Sequence, residues 1–174
     1  MSNPILVAFT TKYGSTEEVA QVIASALTNA GFPAVAQPAA IVQSLDRYDA
    51  VVLGTALYMG LLHHDAKDFL RLHHDALQHL PVAFFSIGPI YAEDSDWVAA
   101  HDQADKELAR FPWFHPVTQE IFGGKYDPGK LGFPFRFVAP LLRKPANDAR
   151  DWDAIEAWVQ DQVIPALQHE HACV

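Results

Sequence analysis

The chain has 174 residues, of which 50% are apolar and 11% aromatic, so it can form one domain with a substantial hydrophobic core. Its formal net charge of −9, from 12 Lys and Arg against 21 Asp and Glu, argues against a nucleic-acid-binding protein. The single cysteine, Cys173, cannot form an internal disulfide, and no basic signal-peptide region precedes the first apolar segment, so we expect a cytoplasmic protein.

Five short apolar segments alternate with helical patterns along the chain, and we predict that they are strands of one sheet. Residues 50–53 are a continuous apolar run, which is typical of a strand buried on both faces. Residues 117–122 carry polar interruptions, which indicate an edge strand. The predicted strands are residues 5–9, 34–37, 50–53, 81–87 and 117–122.

Between these strands, apolar residues recur at the spacing of amphipathic helices. The first helix is expected to end at Gly31, a residue favoured just beyond helix C-termini. Two further helical stripes run over residues 69–80 and 97–108. A last helix is predicted over residues 151–167, where Pro165 should bend or fray the final turn.

Alternating strands and helices indicate an α/β fold with a parallel sheet covered by helices on both faces. Because crossovers are right-handed, such sheets bind ligands at the carboxyl edge of their strands. Three loops are expected to leave that edge, at residues 10–16, 54–60 and 87–94. We expect one domain over residues 1–174, in which residues 123–150 form an extended loop that is too long for a simple connection.

The loop after the first strand has the composition of an anion-binding turn. It offers several hydroxyl groups, a glycine at Gly14 that lets the backbone approach a ligand, and the unpaired N–H groups of a helix start. The glycine patterns of dinucleotide-binding and triphosphate-binding loops are absent. Thr10-Thr11 and Gly54-Thr55 stand where a phospho-receiver domain needs acidic residues, which argues against that chemistry.

The motif Thr11-Lys-Tyr-Gly-Ser-Thr16 resembles the phosphate loop of flavodoxins, except that Tyr13 replaces the usual threonine. This resemblance implies a three-layer flavodoxin-like fold, with five parallel strands in the order 2-1-3-4-5, and FMN as the cofactor. The alternative is an ordinary strand–helix turn with a Ser or Thr N-cap. The phosphate-binding residues that the resemblance implies are Thr10, Thr11, Lys12, Tyr13, Gly14, Ser15 and Thr16.

The next two loops resemble the segments that flank the flavin ring in this family. Tyr58 would stack on the ring, a contact worth about 0.5–1.5 kcal/mol beyond area burial, or else be a surface aromatic. Tyr91 is the second candidate aromatic, and Glu93 and Asp94 either lower the flavin potential or only solvate a helix start. The implied residues are Thr55, Ala56, Leu57, Tyr58, Met59, Gly60, Ser86, Ile87, Gly88, Pro89 and Tyr91.

Within the superfamily, the chain is most similar to menaquinone-dependent protoporphyrinogen oxidases and their uncharacterised flavodoxin-domain relatives. The resemblance rests on residues 54–60, 121–126 and 151–158. It implies an FMN oxidoreductase that passes electrons from an organic donor, such as protoporphyrinogen, to a quinone-type acceptor. The alternatives are an electron carrier that docks on a redox protein partner, and an interaction module on the same fold that has lost FMN. Flavin chemistry needs no dedicated acid or base, so the sequence predicts no catalytic residue.

Residues 132–144 combine three phenylalanines with a basic rim, Arg136, Arg143 and Lys144. That composition indicates an element that contacts a quinone or the inner face of the cell membrane. Alternatively, these aromatics pack on the sheet edge or form a homodimer interface. The longest apolar run is well below the roughly 20 residues of a membrane span.

The motif His-His-Asp-Ala occurs twice, at residues 63–66 and 73–76. We interpret both copies as a solvated helix face and predict no metal site. Neither a Ser–His–Asp nor a Cys–His arrangement can be assigned from the sequence.

Overall fold

The computed structural model describes residues 3–58, 60–89, 94–126 and 146–172. In this part of the chain the strands are β1 (Ile5–Phe9), β2 (Ala34–Pro38), β3 (Ala50–Tyr58), β4 (Leu61–Leu62), β5 (Val82–Ile87), β6 (Thr118–Phe122), β7 (Lys125–Tyr126) and β8 (Asn147–Asp148). Five of them form a parallel sheet in the order β2-β1-β3-β5-β6, while β4 pairs antiparallel with the end of β3. The predicted fold and its 2-1-3-4-5 order, counted over the parallel strands, are confirmed.

Helices cover both faces of the sheet. They are α1 (Ser15–Asn29), α2 (His64–Leu72), α3 (His74–Leu77), α4 (Asp94–Leu108), α5 (Trp152–Trp158) and α6 (Ile164–Ala172), with a 3-10 turn at Ala39–Ile41 and a π-helical turn at Val159–Val163. Side chains alternate along β1: Ile5, Val7 and Phe9 pack with α1 and α5, whereas Leu6 and Ala8 pack with α2. The apolar strands are therefore buried on both faces, and the helix-free carboxyl edge of the sheet remains for a ligand.

The prediction of a loop over residues 54–60 is wrong for its first five residues. Strand β3 continues to Tyr58, because Gly54, Thr55 and Ala56 pair in register with β5. Leu57 then pairs with Leu62 in β4, so this segment is a β-hairpin. It remains at the carboxyl edge of the sheet, where the sequence had predicted the loop.

The predicted helix over residues 69–80 is two helices, which separate at His73. Its imidazole is buried, contacts the ring of Phe69, and donates from Nε2 to the Val42 carbonyl oxygen at 3.1 Å. The backbone leaves the helical conformation at this residue (φ −103°), and Leu72 is left 70% exposed. The interpretation of the histidines as a solvated face is therefore wrong for His73.

The C-terminal helical region starts as predicted but extends further. Asp151 caps α5, since its carboxylate accepts from the Ala154 N–H at 3.0 Å. The helix widens into the π-helical turn just before Pro165 and then continues as α6. A proline has no N–H and crowds the carbonyl four residues earlier, which accounts for the wider turn. The expected fraying at Pro165 does not occur.

The extended loop predicted over residues 123–150 has an ordered base. Gly123 lies so close to Ala149 that a Cβ would overlap the Ala149 carbonyl oxygen, and β7 pairs antiparallel with β8 just beyond. The aromatic and basic segment at residues 132–144 lies outside the described residues. None of the described helices is both long enough and apolar enough to cross a membrane.

Candidate functional site

The phosphate loop (residues 10–16) connects β1 to α1 and turns at Gly14. Gly14 is the N-cap of α1 with φ 91°, a left-handed conformation that favours glycine. Its N–H donates to Thr11 Oγ1 at 2.8 Å, which closes the turn. No side chain caps α1, so the alternative of a Ser or Thr N-cap is wrong. The first N–H groups of the helix, together with the positive end of its dipole, are therefore directed to the sheet edge.

Two buried hydroxyl groups at this edge lack a hydrogen-bond partner among the described residues. They are Thr16 Oγ1, in the first turn of α1, and Ser86 Oγ, near the end of β5. Both residues are fully buried. A buried hydroxyl left unsatisfied costs about 1–3 kcal/mol, so these two atoms mark where a polar ligand group would stabilise the protein.

Buried hydroxyl side chains also lie side by side where the strands approach the three predicted loops. The Thr10 N–H donates to the Gly54 carbonyl oxygen at 2.9 Å, and Thr10 Oγ1 donates to Thr55 Oγ1 at 3.0 Å. Thr55 is the register partner of Ser86 in β5. Thr10, which directly follows β1, Thr55 in β3 and Ser86 in β5 therefore form a buried row at the carboxyl edge of the sheet.

The β3–β4 hairpin (residues 57–62) forms the second loop. Gly60 has φ 79°, and a Cβ there would lie 2.9 Å from the side chain of Gln103 in α4. Both the left-handed backbone and the close helix require glycine at this position. Ala56 is buried and Leu57 half-buried. Tyr58 is the last residue of β3, and Met59 lies outside the described residues, so ring stacking in this loop remains a prediction.

The third loop begins with Ile87, Gly88 and Pro89. The Gly88 N–H donates to the Phe122 carbonyl oxygen at 2.8 Å, and the Gly124 N–H donates to the Pro89 carbonyl oxygen at 2.7 Å. These bonds attach the third loop to the base of the segment that follows β6. Tyr91 and Glu93 lie outside the described residues, and Asp94 begins α4.

Arg150 connects the same base to the start of α1. Its guanidinium is buried and donates to both carboxylate oxygens of Asp148, at 2.7 and 2.6 Å, and to Glu18 at 2.7 Å. The hydrogen bond from Arg150 holds the pKa of Asp148 below its ordinary value. Lys125 adds a second cation 3.7 Å from Glu18. Two cations thus lie against the first turn of α1 in an acidic chain, an arrangement that sequence analysis did not identify.

The histidine at the end of the hairpin has a structural role that the sequence did not indicate. His63 is the N-cap of α2, because its Nδ1 accepts from the Asp65 N–H at 3.3 Å. Burial lowers the pKa of His63, and the positive charge of Lys12 in the phosphate loop lowers it further. The negative charge of Asp65 raises this pKa but does not outweigh the decrease. His64 is exposed, and its Nε2 lies 2.9 Å from Asp65. Candidate ligand atoms of these three residues fall within 4.8 Å of one another.

The described residues of the three loops supply hydroxyl groups and backbone N–H groups at a buried strand edge. Such groups bind an anion by hydrogen bonding and by the helix dipole, with no need for a basic side chain in direct contact. The buried Thr16 hydroxyl fits that use, since a phosphate oxygen would be its missing partner.

Comparison with known proteins agrees with this geometry. Protoporphyrinogen IX dehydrogenase [quinone] of Escherichia coli (strain K12) is 34% identical over 149 residues, which are 84% of this chain and 82% of that protein. A flavodoxin from the domain Archaea superposes with a TM-score of 0.56 at 11% identity, covering 94% of this chain and 98% of that one. Rubredoxin oxygen:oxidoreductase from Desulfovibrio gigas superposes with a TM-score of 0.62 at 12% identity, covering 98% of this chain and 37% of that one.

The family model described as "Flavodoxin domain" matches residues 6–153, which begin in β1 and end in α5. The match includes all three loops at the carboxyl edge of the sheet. The chain belongs to the flavodoxin domain family.

Proposed function

We propose that this protein is an FMN-dependent oxidoreductase that passes electrons from a reduced organic donor to a quinone-type acceptor. The observation that carries the proposal is the fully buried hydroxyl of Thr16, which lies beside the left-handed Gly14 turn and has no hydrogen-bond partner among the described residues. A protein that bound nothing here would bear the cost of an unsatisfied buried donor without compensation.

The phosphate of FMN would lie at the start of α1. Thr16 would donate its hydroxyl, and the first N–H groups of the helix would complete the anion site. Thr11 accepts from Gly14 and keeps its own hydroxyl proton for the phosphate. Thr10 differs, because it already donates to Thr55, so its role is to hold β1 to β3 beneath the site.

The ring system would lie between the second and third loops. When bound, FMN supplies the electron-transfer chemistry, and the protein binds it, orients it and limits water access. Tyr58 and Tyr91 are the proposed flanking aromatics. The acidic net charge of −9 makes the surrounding field unfavourable for added negative charge on the cofactor.

A relative that covers most of this chain supports the choice of donor and acceptor. The E. coli protein is named for a porphyrinogen donor and a quinone acceptor, and at 34% identity it makes these the first substrates to test. The aromatic and basic composition of residues 132–144 supports a role in contacting the quinone or the inner membrane face, with a second copy of the chain as the alternative contact.

The test is reconstitution of the purified protein with FMN, followed by assay of protoporphyrinogen IX oxidation with a menaquinone analogue. We expect a yellow protein with a structured flavin spectrum, and oxidation that depends on the quinone. Protein that stays colourless in excess FMN would contradict the proposal and favour the interaction module. Flavin-loaded protein that reduces a redox protein but no quinone would favour the electron carrier.

A further inference from the structure

The buried carboxylate of Glu107 lies outside the phosphate loop but contacts the hairpin beside the proposed ring site. It belongs to α4 and is only 3% exposed. Its Oε2 accepts from the Leu62 N–H at 3.2 Å and from Lys67 Nζ at 2.8 Å, while Oε1 accepts from Arg110 at 3.1 Å. We call Glu107, Lys67, Arg110 and the Leu62 N–H the Glu107 cluster.

The Glu107 cluster joins three elements. Leu62 is the second residue of β4, Lys67 lies in α2, and Glu107 lies in the last turn of α4. Burial alone raises the pKa of Glu107, but the hydrogen bonds from Lys67 and Leu62 and the charges of Lys67 and Arg110 outweigh it and lower the pKa. The carboxylate is therefore ionised at neutral pH, and its bonds to the hairpin are charge-assisted.

The same helix contacts the second loop at another point and connects it with the third. Gln103, one turn before Glu107, lies against Gly60 in the hairpin turn. Ala100 and Ala104 pack with Leu57 of β3 and with Ile121 of β6. Helix α4 also starts at Asp94, directly after the third loop. It thus holds the two loops that would flank the ring.

We propose that Glu107 is a positioning residue that holds the β3–β4 hairpin in its cofactor-binding conformation. This inference rests on the proposed FMN function. If only part of the population has the binding-competent hairpin, the apparent Kd rises in inverse proportion to that fraction. Loss of the Glu107 contacts lowers the fraction and weakens FMN binding, although Glu107 does not touch the cofactor.

The test compares Glu107→Gln with Arg110→Gln as its matched control. Both substitutions remove one charge from the same cluster. Arg110, however, is exposed, lies just beyond the C-terminus of α4, and pairs with Oε1 of Glu107 rather than with the Oε2 that accepts from the hairpin. We expect the Kd for FMN to rise about tenfold in E107Q and to stay within about twofold in R110Q. Simple electrostatics predicts instead that E107Q binds FMN more tightly than R110Q, because E107Q removes a negative charge and the ligand is an anion.

Amide exchange gives a readout that does not depend on bound FMN. In apoprotein, protection of the Leu62 N–H should fall in E107Q and not in R110Q. Equal Kd values for both variants, or unchanged Leu62 protection in E107Q, would overturn the inference. If E107Q does not fold, Lys67→Gln removes the half-buried cation that pairs with Glu107, and the same two outcomes apply to it. Wild-type protein that binds no FMN would instead contradict the proposed function, whatever the variants do.

Discussion

The substitution Thr16→Val should change protein stability and cofactor affinity in opposite directions. Valine has the shape of threonine without the hydroxyl, and helix propensities of the two residues are similar. In apoprotein the Thr16 hydroxyl is fully buried without a described partner, so its removal relieves an unsatisfied polar group. We expect apo T16V to be more stable than wild type by about 1 kcal/mol in urea unfolding.

FMN binding should weaken in the same variant. A hydrogen bond to a charged group contributes about 1.5–3 kcal/mol, so the Kd of T16V should rise roughly 10- to 100-fold in a fluorescence-quenching titration. Thr28→Val is the matched control, because Thr28 lies in the same helix and its hydroxyl donates to the Ala24 carbonyl oxygen at 2.8 Å. T28V should leave the Kd unchanged and should not stabilise the apoprotein.

Two results for T16V would contradict the proposed contact between the Thr16 hydroxyl and the phosphate. An unchanged Kd would show that the hydroxyl does not contact the cofactor. A loss of apoprotein stability greater than that of T28V would show that the hydroxyl is already satisfied without a ligand.

Three further predictions concern the same edge of the sheet. Gly14→Val should destabilise the protein by about 1–2 kcal/mol, because φ is 91°, and should abolish FMN binding; normal FMN affinity would contradict the proposed loop. Gly123→Ala should lower the melting temperature, because its Cβ would overlap the Ala149 carbonyl oxygen, and an unchanged melting temperature would contradict that close approach. Arg150 lowers the pKa of Asp148 from its ordinary 3.8, so this pair stabilises the fold above that pH and the contribution is lost as the pH falls below it. The free energy of unfolding of Arg150→Met should therefore depend less on pH below about pH 4 than that of the wild type. Parallel pH dependences for the two proteins would show that the Arg150–Asp148 pair does not contribute.

Local signals were sufficient to predict the first strand, the phosphate loop and the helix after it. The apolar run of β1, a glycine at the helix start and a regular apolar stripe occur within about thirty consecutive residues, so no distant contact is needed to interpret them. The strand order was likewise available, because parallel strands joined by right-handed helical crossovers allow few topologies.

The continuation of β3 through Gly54 and into the β3–β4 hairpin could not be predicted from local signals. Gly54 and Thr55 interrupt the apolar run and indicate a loop, but pairing with β5 keeps the chain extended. This pairing is a tertiary effect, and it outweighs the local preference of glycine for turns.

Buried polar groups with distant partners were missed for the same reason. Arg150 and Glu18 are 132 residues apart, and His73 and Val42 are 31 apart. A sequence pattern shows that a histidine or an arginine is present but does not show which carbonyl or carboxylate folding brings to it. The sequence could therefore indicate candidate residues with hydroxyl and backbone groups, whose role in binding stays a prediction, but it could not indicate the charged groups around them.

We propose that the start of α1 binds the phosphate of a flavin. The most direct measurement compares the affinities of the apoprotein for FMN and for riboflavin, which has the same ring system without the phosphate. We predict that FMN binds at least about a hundredfold more tightly, because a phosphate at a helix N-terminus gains several charge-assisted hydrogen bonds. Equal affinities for the two flavins would contradict phosphate binding at the start of α1.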